Sequence, residues 1–566
     1  METIIDNVFL ALPVFFDPWN ILLLVGGVFV GLIVGAIPGF TVTMALILFL
    51  PFTFDLSAAS GLTTMLGILV GGMSGGLVGA MLTGIPGTPA AIATTFDGFP
   101  MARKGKLGLA LGLGVWASFF GGVIGSIILV VLAPTISSIG LEFGPWDYFN
   151  LIIFALTIAA SLSEKRLSKG LVAAGIGLLA STVGTDPINA VPRLVMGIEP
   201  LKHGFQVLPV MVGLFAFAQL MSDVENTDRA RQSIAFDSDK TIKIEHGAAI
   251  REIMKQWFNV VRSSFIGVFV GAIPAIGAQV SNILAWDQAQ KSSKHPEKFR
   301  TGTPEGVVAP EAANNATGGG TLAILMALGI PGDVVTIVML GALLIHDVVP
   351  SPSFIEEHPE IAYTVFLAFF LAHFVMVALQ SVGLRVFALV AKVPMYIVAA
   401  IILFCTAIGV YIWSNSIFDI WTVFLFGLLG YTMRVLGFPV APLILGSVLG
   451  PIAELNLNRA VSTSNDLALF ITRPWALFFL TMAVFSALFP LYQKWRGKRR
   501  WTLCYTPAMY IAASLPLVLM GGWFRPMVGV LLVFFGLRAL YRHHQSGWEL
   551  APTPGSADER QDVLNT

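Results

Sequence analysis

Charge is what this 566-residue chain has least of: only 12% of its residues are Asp, Glu, Lys or Arg, against 56% hydrophobic. Soluble domains carry about 25% charged residues, so this composition cannot supply a water-facing surface for a chain of this size. The charges that are present cancel, 33 basic against 33 acidic, which leaves no argument for a nucleic-acid partner. Cysteine is nearly missing too. Cys405 and Cys504 have no CxxC or metal-ligand spacing and read as small buried hydrophobes beside apolar stretches. There is no G-x-x-x-x-G-K-[ST] to cradle a nucleotide and no H-E-x-x-H to hold zinc, so neither an ATP-driven pump nor an enzyme is expected, and no organic cofactor. Glu2 and Asp6 stand where a secretory leader would be basic, so no cleaved leader is expected.

What the chain has in abundance is apolar length. Mean hydropathy is +0.81, and runs long enough to cross a bilayer recur from about residue 19 to 540. The fold class is therefore all-α, a polytopic integral membrane protein. Lys and Arg collect in 223–263, in Lys291 to Arg300, in Lys494 to Arg500, around Lys165, Arg166 and Lys169, and around Arg103, Lys104 and Lys106. The segments 134–147 and 347–360 contain neither residue. The cytoplasmic bias of basic residues puts the first group inside and the second outside, with Arg193, Lys202 and Arg525 as exceptions on the outer side. Residues 264–286 are long enough for a single crossing, yet basic loops flank both ends. A re-entrant hairpin that turns near Pro274 satisfies both facts; a full crossing with 291–300 outside is the alternative. The expected layout is a first transmembrane repeat unit over 19–222, a cytoplasmic loop over 223–263, a second repeat unit over 264–495, and an extension over 496–566 with two extra spans and a polar tail.

Two motifs occur twice. VGAIPG at 34–39 returns as VGAIPA at 270–275, a spacing of 236, and GIPGT at 84–88 returns as GIPGD at 329–333, a spacing of 245. Gly-rich runs, GGMSGG at 71–76 and TGGG at 317–320, precede each GIPG. Pro- and Gly-interrupted apolar segments at matching places in two halves point to a transporter core. The first GIPG segment leads into a basic loop and the second into a bare one, so the halves are expected to be inverted. Pro38, Gly39, Pro86, Pro274 and Pro331 are the expected hinges, because proline removes a backbone donor and glycine adopts conformations other residues resist. Helices that restart after such breaks have unpaired N–H groups, which with the helix dipole favour a carboxylate by about 0.3–2 kcal/mol. Kinks that serve only helix packing are the competing explanation for any one of these motifs.

GIPGTPAAIATTFDGFPMARKGKLGLALG at 84–112 and EGVVAPEAANNATGGGTLAILMALGIPGDVVTIVMLGALLIH at 305–346 resemble the large membrane subunit of the bacterial tripartite tricarboxylate transporters, over about residues 19–495. The resemblance implies a multi-pass protein of the bacterial inner membrane, importing a small organic anion, a di- or tricarboxylate, with a sodium or proton gradient. It also implies two partners, a periplasmic substrate-binding protein and a small membrane subunit. Three places depart from the family pattern: Ser74-Gly75-Gly76-Leu77 has fewer hydroxyls, Gly84 stands where Asn is common, and Asp333 where a small hydroxyl residue is frequent. Channel-like conduction and cation/proton antiport are the alternative functions.

The candidate substrate-binding residues are Gly87, Thr88, Pro89 and Thr94 after the first break, with Asn314, Asn315, Gly332 and Asp333 around the second. Amide and carboxylate oxygens suit a hard cation, which makes Asn315 and Asp333 candidate ligands for a sodium ion. Each has a plainer competitor. Threonine hydroxyls bond carbonyls within membrane helices, as Thr88, Thr94 and Thr95 would; asparagines bond neighbouring helices; and Asp333 fits a helix cap. Asp97, Arg103 and Lys104 suggest gate or turn geometry, and His346 and Asp347 an outer rim. Glu305 and Glu311 are expected to flank a loop entering the membrane, as helix caps or as binding groups.

Overall fold

The computed structural model describes residues 2–37, 40–162, 167–186, 189–225, 243–274, 276–390, 404, 407–412, 414–548 and 550. Among them the only strands are Gly184–Thr185 and Pro192–Arg193, paired with each other, and ten helices are long and apolar enough to cross a membrane. The protein is an all-α polytopic membrane protein. Its chain forms two compact units, one of residues 1–142 and 183–440, the other of 143–182 and 441–566.

The first unit contains both repeats, whose ten helices are labelled here in chain order. The first repeat comprises α1 (Pro18–Ala36), α2 (Val42–Phe49), α3 (Ala58–Thr83), α4 (Thr94–Met101) and α5 (Leu107–Gly140). The second comprises α6 (Trp257–Gly271), α7 (Gly277–Ser292), α8 (Glu305–Leu328), α9 (Val334–Ile345) and α10 (Pro359–Val390). Helix α6 runs alongside α8, from Asn259 at the Glu305 carbonyl (3.3 Å) to Gly271 at Thr317. Helix α7 then returns along α8: Ser281 meets Thr317 at 2.6 Å, and Ala285 and Ala289 pack with Ala309 and Ala313. Helices α6 and α7 thus form a hairpin that comes back to the end of α8 from which it started. The segment 19–51, which sequence alone presents as one apolar run, folds the same way. Gly27, Gly31 and Gly35 of α1 pack in step on Thr64, Ile68 and Gly72 of α3, and α2 starts against Gly72 and heads back.

Glycine makes these hairpins possible. A Cβ at Gly31 or Gly35 would strike the carbonyl of Ile68 or Gly72, and one at Gly267 or Gly271 would strike that of Ala313 or Thr317. Shifted by 236 residues on the hairpin and 245 on the core helix, the second set of contacts is the first. The correspondence continues at the motifs. Gly84 and Gly329 end α3 and α8 in the left-handed conformation (φ 73° and 70°), which glycine adopts without steric cost. Beyond them, Gly87 lies on the Gly35 carbonyl and Gly332 on that of Gly271.

The two repeats are inverted. The start of α3, at Gly61, lies beside His346, which follows α9; Asp97 of α4, which follows α3, lies beside Gly302 and Gly306 at the start of α8. Helices α3 and α8 therefore run in opposite directions. One end of the core brings together basic stretches: Lys104 donates to the Thr301 carbonyl (2.6 Å), and Glu245 N–H to that of Gly108 (3.1 Å). The other end brings together the loops without Lys or Arg, through Ser137 Oγ and the Pro352 carbonyl. The charge map grouped these loops in the same way.

In the second unit, helices Pro145–Leu162 and Pro474–Trp495 are joined where Arg473 donates to Asp147 (2.7 and 3.1 Å) and Asn150 to the carbonyls of Phe470 and Ala476 (2.7 and 3.0 Å). Cys504 lies exposed on helix Thr502–Leu519 rather than buried, because that helix turns a broad face outward; Cys405 is outside the described residues.

A side chain at the hairpin contacts must force two backbones apart, at about 1–3 kcal/mol. Gly31→Leu and Gly271→Leu are expected to melt earlier in detergent, whereas Gly26→Leu on the open face of α1, with nothing within 4 Å of its Cβ position, is expected to melt with the wild type. Equal melting of all three variants would remove glycine contact as the basis of the hairpins.

Candidate functional site

The antiparallel core helices cross at a place where apolar side chains give way to polar ones. Ser74 of α3 donates to Asn315 Oδ1 of α8 (2.8 Å), and Asn314 Nδ2 to the Met73 carbonyl (3.3 Å). The Asn315 amide donates one turn back to the Glu311 carbonyl (3.3 Å), and Gln380 of α10 to the Ser74 carbonyl (3.0 Å). The Glu311 carboxylate accepts from Thr94 of α4 (2.5 Å) and from Ser118 of α5 (2.9 Å). Ser74, Glu311, Asn314, Asn315 and Gln380 are all fully buried. Helix geometry explains the grouping: residues 311, 314 and 315 are three and four apart and share one face of α8. That face meets the other repeat.

The two breaks lie close to this crossing. In the first, the Gly87 N–H reaches the Gly76 carbonyl (3.3 Å), and Thr88 is buried with its hydroxyl unpartnered. Pro86 is half-buried, and Pro89 is exposed and opens a short 3-10 turn, Pro89–Ala91, before α4 begins at Thr94. Thr95 bonds the Ile92 carbonyl (2.6 Å), a local backbone contact. Asn282 of α7 donates to the Ala90 carbonyl, so the second repeat's hairpin braces the first repeat's break. In the second break Pro331 and Gly332 are buried and Asp333 caps α9. The cap is reciprocal: Asp333 Oδ1 accepts from Thr336 N–H (2.8 Å), and the Thr336 hydroxyl accepts from Asp333 N–H (2.9 Å). A side-chain carboxylate of the protein's own thus occupies the helix start where the sequence pattern suggested a solute's. Pro274 is buried at the tip of its hairpin; Pro38 and Gly39 are outside the described residues.

Three further residues have defined places. Asp97 is a latch at the basic end, accepting from Trp286 Nε1 (2.9 Å), Gly302 N (2.9 Å) and Thr303 N (3.1 Å), with Arg300 stacked over Phe96 and Trp286. His346 meets Thr53 at 3.2 Å at the opposite end of the core. Glu311, expected beside a loop, is instead inside α8 and fully buried. The polar stretch 305–315 looked like a loop by hydropathy but forms the first half of a core helix, because its polar face is turned to the other repeat. The sequence left Glu311 open between capping and binding and did not mark Ser118 or Gln380. The spacing of Glu311 to the two asparagines was the available signal; Ser118 and Gln380, single polar residues in apolar helices, offered none.

A family model described as the tripartite tricarboxylate transporter TctA family matches residues 21–445. Two proteins of Agrobacterium vitis are similar. One, an uncharacterized 52.8 kDa protein in the TAR-I ttuC' 3' region, is 30% identical over 510 residues, 88% of this chain and 98% of its own length. The other, an uncharacterized protein in the TAR-II ttuC' 3' region, is 30% identical over 234 residues, 41% of this chain and 97% of its own. No solved structure matches.

If the cap is the main work of Asp333, Asp333→Asn keeps a good capping oxygen and melts with the wild type, whereas Asp333→Ala loses about 0.5–2 kcal/mol. Thermal melting of the two variants in detergent decides; an Asn variant as destabilised as the Ala variant points to a need for charge.

Proposed function

The chain belongs to the tripartite tricarboxylate transporter TctA family, and we propose that it is the carrier subunit that imports a small organic carboxylate, a di- or tricarboxylate, across the bacterial inner membrane. In this reading a periplasmic binding protein delivers the solute, a small membrane subunit completes the assembly, and an inward gradient of sodium ions or protons drives uptake. The observation that carries it is the inverted pair of broken segments converging on a buried polar crossing, the arrangement in which carriers hold solute and ion.

The chemistry derives from the groups each break presents. Gly87, Thr88 and Pro89 supply close backbone approach and a buried, unpartnered hydroxyl to one end of the solute. Asn314 and Asn315 line the crossing, and Gly332 and Asp333 shape the second break, with Asp333 positioning α9 through its cap. Hydroxyl and amide groups bind a carboxylate firmly enough to select it and weakly enough to release it. A full salt bridge in a dry site would hold it longer. Release toward the basic end requires the Asp97 latch to open, since Asp97 ties α4 of one repeat to α7 and the start of α8 of the other. Exchange of conformation between inverted halves is the means by which such folds alternate their access.

The test is uptake of labelled di- and tricarboxylates into proteoliposomes that contain this chain with its small subunit and binding protein. Saturable uptake that needs both the gradient and the binding protein is expected. Flux indifferent to both would mean a channel, and failure to take up any carboxylate would overturn the substrate class.

A further inference from the structure

Buried carboxylates in this protein are neutralised in different ways, and one of them stands apart. Among the described residues, Asp97, Asp147 and Glu311 are completely buried. Asp147 has the Arg473 guanidinium, at 2.7 Å. Asp97 has three N–H donors, two of them from the backbone. Glu311 lies in the middle of the core with only two hydroxyl partners, Thr94 and Ser118, and no Lys, Arg or His in ion-pair contact among the described residues. An uncompensated charge at such a depth costs about 2.5–3.5 kcal/mol even on lenient insertion scales, so a compensating positive charge is called for.

The partners show what kind of charge fits. An N–H group is a donor only, so neighbours of that kind add no oxygen to a cation's shell. A hydroxyl is a donor that also has two lone pairs. Thr94 and Ser118 can rotate from donating to Glu311 to presenting oxygen to an ion held against it. Two further buried oxygens, on α8 and α10, have nothing to accept. Asn314, one turn along the same face of α8, and Gln380 of α10 spend their amide hydrogens on the consecutive carbonyls of Met73 and Ser74, and their amide oxygens are buried without a partner. A proton on Glu311 would cancel its charge and leave the Asn314 oxygen orphaned. A hard cation with an oxygen shell accounts for the carboxylate, the hydroxyls and the amide together.

We infer that Glu311, Thr94, Ser118 and Asn314 form a sodium-ion site between the two repeats. The ligands come from α8 on one side and from α4 and α5 on the other, so binding joins the halves. Asn315 and Asp333 are engaged elsewhere, by Ser74 and Thr336. That this ion is the one whose gradient drives uptake rests on the carrier reading; that it binds here does not.

The experiment is thermal melting of the purified full chain in detergent at fixed pH without any carboxylate, titrated with sodium chloride against potassium and choline chloride at equal ionic strength. A saturable rise in melting temperature is expected with sodium only. Glu311→Gln is expected to abolish that rise, and Thr94→Ala and Ser118→Ala each to require about tenfold more sodium for half of it. The site is refuted if the wild type shows no sodium-specific rise, or if Glu311→Gln retains it. A melting temperature that depends on pH but not on sodium, with the dependence lost in Glu311→Gln, also refutes it, in favour of a proton. Should Glu311→Gln fail to fold, an unchanged half-saturating concentration in both hydroxyl variants refutes the site. A sodium-dependent rise without carboxylate uptake would leave the site standing and sink the carrier reading; sodium-independent melting with carboxylate uptake would do the reverse.

Discussion

The repeat core depends on one kind of contact, backbone against backbone where glycine removes the side chain between two helices. Gly27, Gly31 and Gly35 bring α1 onto α3, and Gly267 and Gly271 bring α6 onto α8. In a membrane the hydrophobic effect gives little reason for helices to associate, so close approach through small residues must supply the attraction. The contact also fixes the geometry of the breaks. Because the last turns of α1 and α6 lie flat on their core helices, the carbonyls of Gly35 and Gly271 reach the glycines just beyond the breaks. The breaks are thereby held and covered. Irregular backbone persists at membrane depth only when protein or a water-filled cavity covers it.

The polar crossing is the second consequence of that packing. Once the hairpins occupy one flank of each core helix, the remaining flanks of α3 and α8 face each other and the helices of the opposite half. Along α8 this produces a stripe of Glu311, Asn314 and Asn315 that never meets lipid, which lets a membrane helix carry a carboxylate and two amides. Helix α5 brings Ser118 to the stripe and α4 brings Thr94, so every carboxylate contact of Glu311 spans the two repeats.

Much of this was legible in the sequence, for reasons that differ by residue. The duplicated VGAIP and GIPG motifs marked the breaks because proline and glycine leave few backbone options at those positions. The hairpin at 257–292 was readable from length and flanking charge together; its twin at 19–51 was not, since no basic loop flanks α2 to betray the return. Helix α8 was half hidden. Hydropathy scores a residue's preference for lipid, and the first half of α8 faces protein. The cap at Asp333 was open to two readings, and only the folded chain places Thr336 where the capping box needs it. The grouping of 143–182 with the chain after 440 had no local signal whatever, because it comes from pairs such as Asp147 and Arg473, 326 residues apart.

The correspondence between the halves also shows where they part company. Shifted by the 245 residues that superpose the core helices, the mates of Glu311, Asn314 and Asn315 are Leu66, Leu69 and Val70, all buried and all apolar. Two identical inverted halves would give two states of equal energy, related by a two-fold rotation, and such a device has no preferred sense of operation. Here the symmetry is kept in the backbone and abandoned in the side chains. In the carrier reading proposed above, the states open to either side are therefore inequivalent by construction, and the molecule has an intrinsic polarity before any gradient acts on it.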